Sequence, residues 1–502
     1  MDFHPIRQYI GASVTRAYYA GMGGIEDPKL RDVAIVTLER QELFEPQILP
    51  LISAGIWRLA GQELLWAQRL LSILLWLSGG IALYRMTRPW VGERVALVSM
   101  GVFTFIPFSI LCSRVIQPDP AMVVTMLWAM ERLQAWRDGA GKRAFWWFLV
   151  LSVVSVLLKP MSIFMIWAVY VGPGFCSNKL KGVFFDRKMW LLTACMVIPN
   201  ALWYLKGHFE GDTMSEQSDM SFLPRIFLDP YYYANFLKMI GRNIGFLPAM
   251  VLIWQTFRSK SIEVRRFLQF YLFGYVCYAL IFHYHATTHD YYSIMLIPVA
   301  GLALGTWWFE RVAPSWKAGE LGSLRNLRLV GLAILVGLFC SAMVATKGFQ
   351  SKPASLKSGL EAIALNAGVS QKLHTWLLQK KERNQELVRQ LEEIGEAVDH
   401  DANVLHLTDD HGKSLIFHGQ LEGHFWPTRE RFELLTYRGS GYEDEIAYFE
   451  SLRDEGKADY FVITKMDELE KSADLITYVG ERYPLLLKKE YVRIYDLRSP
   501  DK

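Results

Sequence analysis

The feature that most constrains this chain is a charge pattern laid over a hydropathy pattern. Residues 64–346 hold about ten apolar stretches, and Lys and Arg fall almost entirely in every second connection between them. The connections 85–94, 132–143, 177–188, 258–266 and 310–328 carry roughly 19 basic residues, whereas 113–119, 158–160, 206–239 and 283–290 carry roughly 5. Cytoplasmic loops retain Lys and Arg, so the alternation predicts an orientation as well as a membrane location. The first stretch then runs from outside to inside and the last from inside to outside. Both chain ends face away from the cytoplasm, and function is expected on that outer face.

The composition agrees. The chain has 502 residues, 52% of them hydrophobic, with 17 Trp, 23 Tyr and 29 Phe, which is too apolar and aromatic for an ordinary soluble enzyme. The net charge is only +4 and the basic residues are used in the topology, so nucleic acid is not an expected partner. The five cysteines, Cys112, Cys176, Cys195, Cys277 and Cys340, lie in or beside apolar stretches and form no CxxC or Cys/His pattern. No basic segment followed by an apolar run opens the chain as a cleavable signal peptide would.

The expected spans are 64–84, 95–112, 120–136, 144–158, 160–175, 189–205, 241–257, 267–282, 291–309 and 329–346. Residues 144–175 would be one long helix kinked at Pro160 were it not for the basic connections on both sides. Those flanks predict a hairpin with Lys159-Pro160 at its tip. Each arm reaches only about 22–24 Å, short of a hydrocarbon core of about 30 Å, so the tip is expected below the outer surface. A lysine there is costly unless it meets a polar cavity or an anion.

Three domains are expected: an outward first-loop region, residues 1–63; a multi-span membrane domain, residues 64–346; and a soluble outer domain, residues 347–502. In the first, Ile48 to Leu59 is apolar and short, as an interfacial helix would be. In the last, Val404–Leu407, Tyr460–Thr464 and Glu490–Leu497 read as strands, and 371–398, 443–455 and 466–480 as helices, with Gln350–Ser358 as linker. That is a small α/β domain.

Polar residues gather at the outer ends of the spans. They are Asp2-Phe3-His4-Pro5-Ile6-Arg7; Glu45-Pro46; Arg114 through Gln117 to Pro118-Asp119-Pro120; Lys159-Pro160; and His283-Tyr284-His285 followed by His289-Asp290-Tyr291-Tyr292. This ordered set resembles the GT-C glycosyltransferases, nearest to the protein-mannosyltransferase, aminoarabinose-transferase and RgtA/B/C/D-like group. The resemblance covers residues 1–346, and the α/β tail is similar to the outer domain that many members carry.

The resemblance implies an enzyme of the bacterial inner membrane, with its active site and C-terminal domain facing the periplasm. It implies an inverting transfer of a sugar from a polyprenyl-phosphate donor to a glycan, lipid or protein acceptor. The family's first-loop acid maps onto Asp2 and its second-loop aspartate onto Asp119, the expected catalytic residues. The family's Glu-Lys-Pro-like segment maps onto Glu45-Pro46 without the lysine, so Arg7, Arg114 or Lys159 would have to meet the phosphate. His289, Asp290 and Tyr291 are expected at the substrate. Family members place a span before the first-loop acid and this sequence shows none before Asp2, so the first family span is expected to be missing.

The chemistry such a transfer needs is simple. A carboxylate takes the proton of the attacking hydroxyl. A cation meets the negative charge that grows on the leaving phosphate, most effectively where water is excluded. A divalent ion such as Mg or Mn could share this work with Asp and His ligands; no organic cofactor is implied. Each assignment has a plainer rival. Asp2 could be a disordered end. Asp119 or Glu45 could cap the following helix, Lys159 could snorkel, and Tyr291 and Tyr292 could belong to an aromatic belt. Among other functions, a transporter would place charges within its spans or show repeated halves, and neither is evident. An O-antigen polymerase or ligase-like enzyme and an inactive membrane scaffold are the remaining alternatives.

Overall fold

A computed structural model describes residues 4–41, 43–176, 186–210, 224–318, 324–350, 355–369, 381–429, 432 and 444–499. Asp2, most of the basic connection 177–188, part of the loop 206–239, part of the Gln350–Ser358 linker and the start of the 371–398 helical pattern lie outside the described residues. The chain divides into two compact units. One comprises 1–41, 48–67 and 378–502; the other comprises 42–47 and 68–377. The first gathers segments that the sequence reading treats as separate, the N-terminal region and the tail.

In the second unit, helices occupy the positions of the ten apolar stretches. They include α4 (Leu65–Val91), which starts in the first unit, α5 (Glu93–Phe105), α6 (Pro107–Cys112), α7 (Pro118–Arg137), α8 (Gly141–Leu158) and α9 (Ser162–Cys176). Further helices follow at Arg187–Glu210, Phe246–Arg258, Ile262–Ile281, Leu296–Trp307 and Leu324–Ala345. Among the described residues, only α4 and α8 are by themselves long and apolar enough to cross a membrane. Pro230–Asn243 and Phe246–Arg258 would make a third crossing as one broken span, bent by 92°. Gly245, with φ +87°, sits at that bend, in a conformation L side chains resist.

The Lys159-Pro160 break does turn the chain back on itself. Phe148 of α8 stacks on Tyr170 of α9 at 5.8 Å, although 21 residues separate them in sequence. At the far end of this hairpin, Pro173 cannot donate to the Val169 carbonyl. Arg137, in the last turn of α7, donates there instead, at 3.2 Å to Val169 and 2.7 Å to Tyr170. Where Ile262–Ile281 crosses α9, Gly274 admits the backbone: a Cβ there would lie 2.5 Å from the Phe164 carbonyl oxygen and 2.8 Å from Met165 Cα. Small residues permit such close helix approach.

The first unit holds α1 (Pro5–Gly21), α2 (Pro28–Glu39) and α3 (Ile48–Ala60), the last at the position expected for the interfacial helix. Its sheet has the order β2-β1-β3-β5-β4. The strands are β1 (Asn403–Leu407), β2 (Glu422–Phe425), β3 (Tyr460–Ile463), β4 (Leu485–Lys489) and β5 (Val492–Asp496). β1 lies parallel to β2 and β3, whereas β5 runs antiparallel to β3 and β4. The period-2 alternation gives it two apolar faces. Leu405, Leu407, Phe461 and Ile463 pack with Phe449, Leu475 and Val479 on one side. Val404, Tyr460, Val462, Val492 and Ile494 pack with Leu391 and Ile394 on the other. The N-terminal helices are bound into this unit. Tyr9 Oη meets His418 Nε2 at 3.2 Å, the Arg16 guanidinium stacks on the Phe417 ring at 3.9 Å, and Lys29 bridges Asp399 and Asp401.

Two consequences can be measured. Gly274→Ala should overpack the α9 crossing and cost about 1–3 kcal/mol, lowering the thermal unfolding midpoint in detergent. Gly331→Ala, inside the helix Leu324–Ala345 and with nothing within 4 Å of its Cβ, should hold or slightly raise the midpoint. The second concerns His406, which is buried in β1. Burial, with the Lys413 ammonium second, pushes its pKa down to about 3. The unfolded chain binds that proton near pH 6.5, so the neutral ring's contribution is complete above pH 6.5 and is lost progressively as pH falls toward 3. The loss should be about 2 kcal/mol at pH 5. Hydrogen exchange of β1 and β3 amides in the full chain, corrected for intrinsic rates, should lose protection between pH 7 and 5; unchanged protection would contradict it.

Candidate active site

Lys159 ends α8 at the hairpin tip. Its backbone N–H closes the last turn onto the Ser155 carbonyl at 3.0 Å, and its own carbonyl accepts from Ser162 Oγ at 3.1 Å. The side chain does not snorkel: the residue is only 3% exposed. Its Nζ meets Glu45 Oε1 at 2.5 Å and stands 3.9 Å from Asp119 Oδ1. The two carboxylates are themselves buried, at 7% and 3% exposure. Two carboxylates thus face one ammonium away from water, where each charge has meaning only through the others.

Each partner is placed by local chemistry. Asp119 stands between Pro118 and Pro120 in the first turn of α7. Prolines suit that turn because its N–H groups have no helical partner. The N-cap position belongs to Gln117, whose side chain makes no capping hydrogen bond, so Asp119 is not the N-cap residue of this helix. Glu45 lies in the irregular stretch before α3, whose backbone is held by Trp203 Nε1 donating to the Phe44 carbonyl at 3.2 Å. The cation beside Glu45 is Lys159, remote from it in sequence.

A wall of aromatic rings stands beside the ammonium, 5.1 Å from the Tyr292 centroid and 5.9 Å from that of Tyr291. The helix Ile262–Ile281 fixes that wall through three tyrosines. Tyr271 Oη donates to the Met295 carbonyl at 2.6 Å, Tyr275 Oη pairs with Ser293 Oγ at 2.9 Å, and Tyr278 Oη donates to the Tyr292 carbonyl at 3.1 Å. Their spacing, i, i+4 and i+7, puts them on one helix face; the sequence reading passed over this stripe. Asp290 is 1% exposed. It faces Arg242 Nη1 at 3.5 Å, while Asn243 Nδ2 donates to its carbonyl at 2.7 Å. Arg242 and Asn243 were not anticipated, because they fall where the hydropathy reading starts a span.

The structure therefore brings together Glu45, Asp119, Lys159 and Tyr291, with Tyr292 beside them. Asp290 is buried in the same loop as the two tyrosines. His289 is exposed, its ring against Tyr291 at 5.1 Å. His283 is buried against Phe227 at 4.6 Å, a packing role. Arg114 lies half-buried in the connection that leads to Asp119. Arg7 belongs to the other unit, in the first turn of α1. Among the described residues no three His, Cys, Asp or Glu side chains form a metal-holding group. The carboxylates at this site face ammonium and guanidinium groups, a donor set that does not fit a divalent ion.

The pairing makes a sharp energetic prediction. Lys159→Met alone strands two buried carboxylates and should destabilise the protein by about 3–5 kcal/mol. Adding Glu45→Gln should restore part of that loss, a non-additivity of about 0.5–3 kcal/mol in thermal unfolding. Strictly additive losses would show that the two residues do not act together.

Residues 45–203 match the family model for dolichyl-phosphate-mannose-protein mannosyltransferase, and that segment contains Glu45, Asp119 and Lys159. The fold is similar to that of ArnT from Cupriavidus metallidurans in the apo state, with a TM-score of 0.56 and 14% identity over 97% of this chain and 93% of that one. A structure of ArnT from the same organism bound to undecaprenyl phosphate aligns over 90% of this chain and 87% of that one, with a TM-score of 0.48 and 13% identity. No curated protein matches the chain. The chain thus has a fold similar to that of ArnT, and its residues 45–203 carry the pattern of the dolichyl-phosphate-mannose-protein mannosyltransferase family.

Proposed function

We propose that this protein transfers a sugar, with inversion, from a polyprenyl-phosphate donor to a glycan, lipid or protein acceptor outside the cytoplasm. The observation that carries the reading is the Lys159 ammonium buried between Glu45 and Asp119. It supplies both things the reaction needs, a fixed cation and a carboxylate, within one water-poor space.

In this mechanism the acceptor hydroxyl attacks the anomeric carbon, and the bond from that carbon to the phosphate oxygen breaks. The electron pair of that bond leaves with the phosphate, and the hydroxyl proton passes to the Asp119 carboxylate. A single displacement inverts the anomeric centre. Lys159, with three N–H donors, meets the charge growing on the leaving phosphate while keeping its contact with Glu45. Glu45 holds that ammonium charged and aimed. Tyr291 and Tyr292 exclude water beside it, which strengthens every interaction within. The basic residues favour the orientation: Arg132, Arg137, Lys142 and Arg143 cluster where α7 ends and α8 begins, the opposite end of both helices from Asp119 and Lys159.

The test is transfer from radiolabelled polyprenyl-phosphate pentoses and hexoses by the full chain in detergent. Asp119→Asn should reduce turnover by roughly 10²–10⁴ with unfolding and donor binding little changed. Asp2→Asn, made in parallel, decides between the two expected bases. If both variants keep near-normal turnover, neither carboxylate is the base. If the unaltered protein transfers none of the sugars offered, the glycosyltransferase reading falls.

A further inference from the structure

Gln117 is the residue the reaction above leaves unused. It is 4% exposed, yet neither its Oε1 nor its Nε2 has a hydrogen-bond partner. It occupies the N-cap of α7, where a side chain with oxygen could satisfy the helix amides, and it does not do so. A buried amide without partners costs about 1–3 kcal/mol, and such groups are rare in native proteins. Its neighbours show how firmly the connection is held. Ser72 Oγ of α4 donates to the Val115 carbonyl at 2.9 Å. Buried Gln68 lies one turn earlier on the same face of α4. Two residues after Gln117 comes Asp119, at the Lys159 cluster.

We propose that Gln117 is a specificity-determining residue that hydrogen-bonds a hydroxyl of the sugar being transferred. The proposal rests on the glycosyltransferase reading and deepens it. An uncharged amide carries both a donor and an acceptor. A sugar hydroxyl also carries both, so the two groups match. A phosphate offers only acceptors and would leave the amide oxygen unmet, and the nearby ions already suit that charge. A site built around a buried polar group rejects ligands that leave that group unpaired, so the energetic cost in the free protein becomes selectivity in the complex.

The experiment compares the unaltered protein with Gln117→Leu and Gln117→Glu. The donors are the best polyprenyl-phosphate sugar from the panel and its monodeoxy analogues. A leucine of similar size removes the unmet amide, so the unfolding midpoint should hold or rise. kcat/KM for the full sugar should fall about tenfold or more, and the unaltered protein's preference over one particular deoxy analogue should vanish. Gln117→Glu keeps the acceptor and should retain part of that preference. A marked fall in the midpoint of Gln117→Leu would reveal a structural amide and overturn the proposal. So would an unchanged preference among the analogues in a stable variant. Absence of transfer by the unaltered protein would instead remove the reading on which the proposal rests.

Discussion

The buried Lys159 ammonium is the interaction on which this part of the second unit depends. Its charge cannot be left alone in that environment, so three segments distant in sequence must meet: the stretch before α3, the start of α7 and the tip of the α8–α9 hairpin. A chain that misplaced any of them would leave an uncompensated charge away from water. The ion cluster therefore works as a constraint on folding before it works in any reaction.

Much of this was legible in the sequence, because a hydropathy period and a charge alternation are local signals. The break at Lys159-Pro160, the apolar stretches, the helix Ile48–Ala60 and the strands near Val404, Tyr460 and Val492 all lie where those signals place them. The cost of burying Lys159 also pointed to an anion. Which anion it would be was not legible, because Glu45 approaches from more than a hundred residues away. Strand β2 escaped notice since Glu422-Gly423-His424-Phe425 has no alternating apolar face. Arg242 and Asn243 escaped for the opposite reason: their surroundings are so apolar that averaging hides them.

The first unit shows how composition can mislead about boundaries. The tail looked like an independent domain because its charge rises sharply after residue 346. Yet α1 contributes Tyr9 to the packing around Phe417, and Arg16 joins Phe417 to Glu63. A change in composition marks a change of solvent along the chain. It does not mark where a folded body begins, since segments at opposite ends of a sequence can share one environment.

The tyrosine stripe on Ile262–Ile281 has an implication for what a bound molecule would feel. Its hydroxyls at Tyr271 and Tyr278 are used up on main-chain carbonyls, and that of Tyr275 on Ser293. The protons of Tyr271 and Tyr278 are thus committed, and those hydroxyls could offer a guest only acceptor lone pairs. Along that face a bound molecule would find no free hydroxyl proton, so its contour and apolar surface would decide the fit.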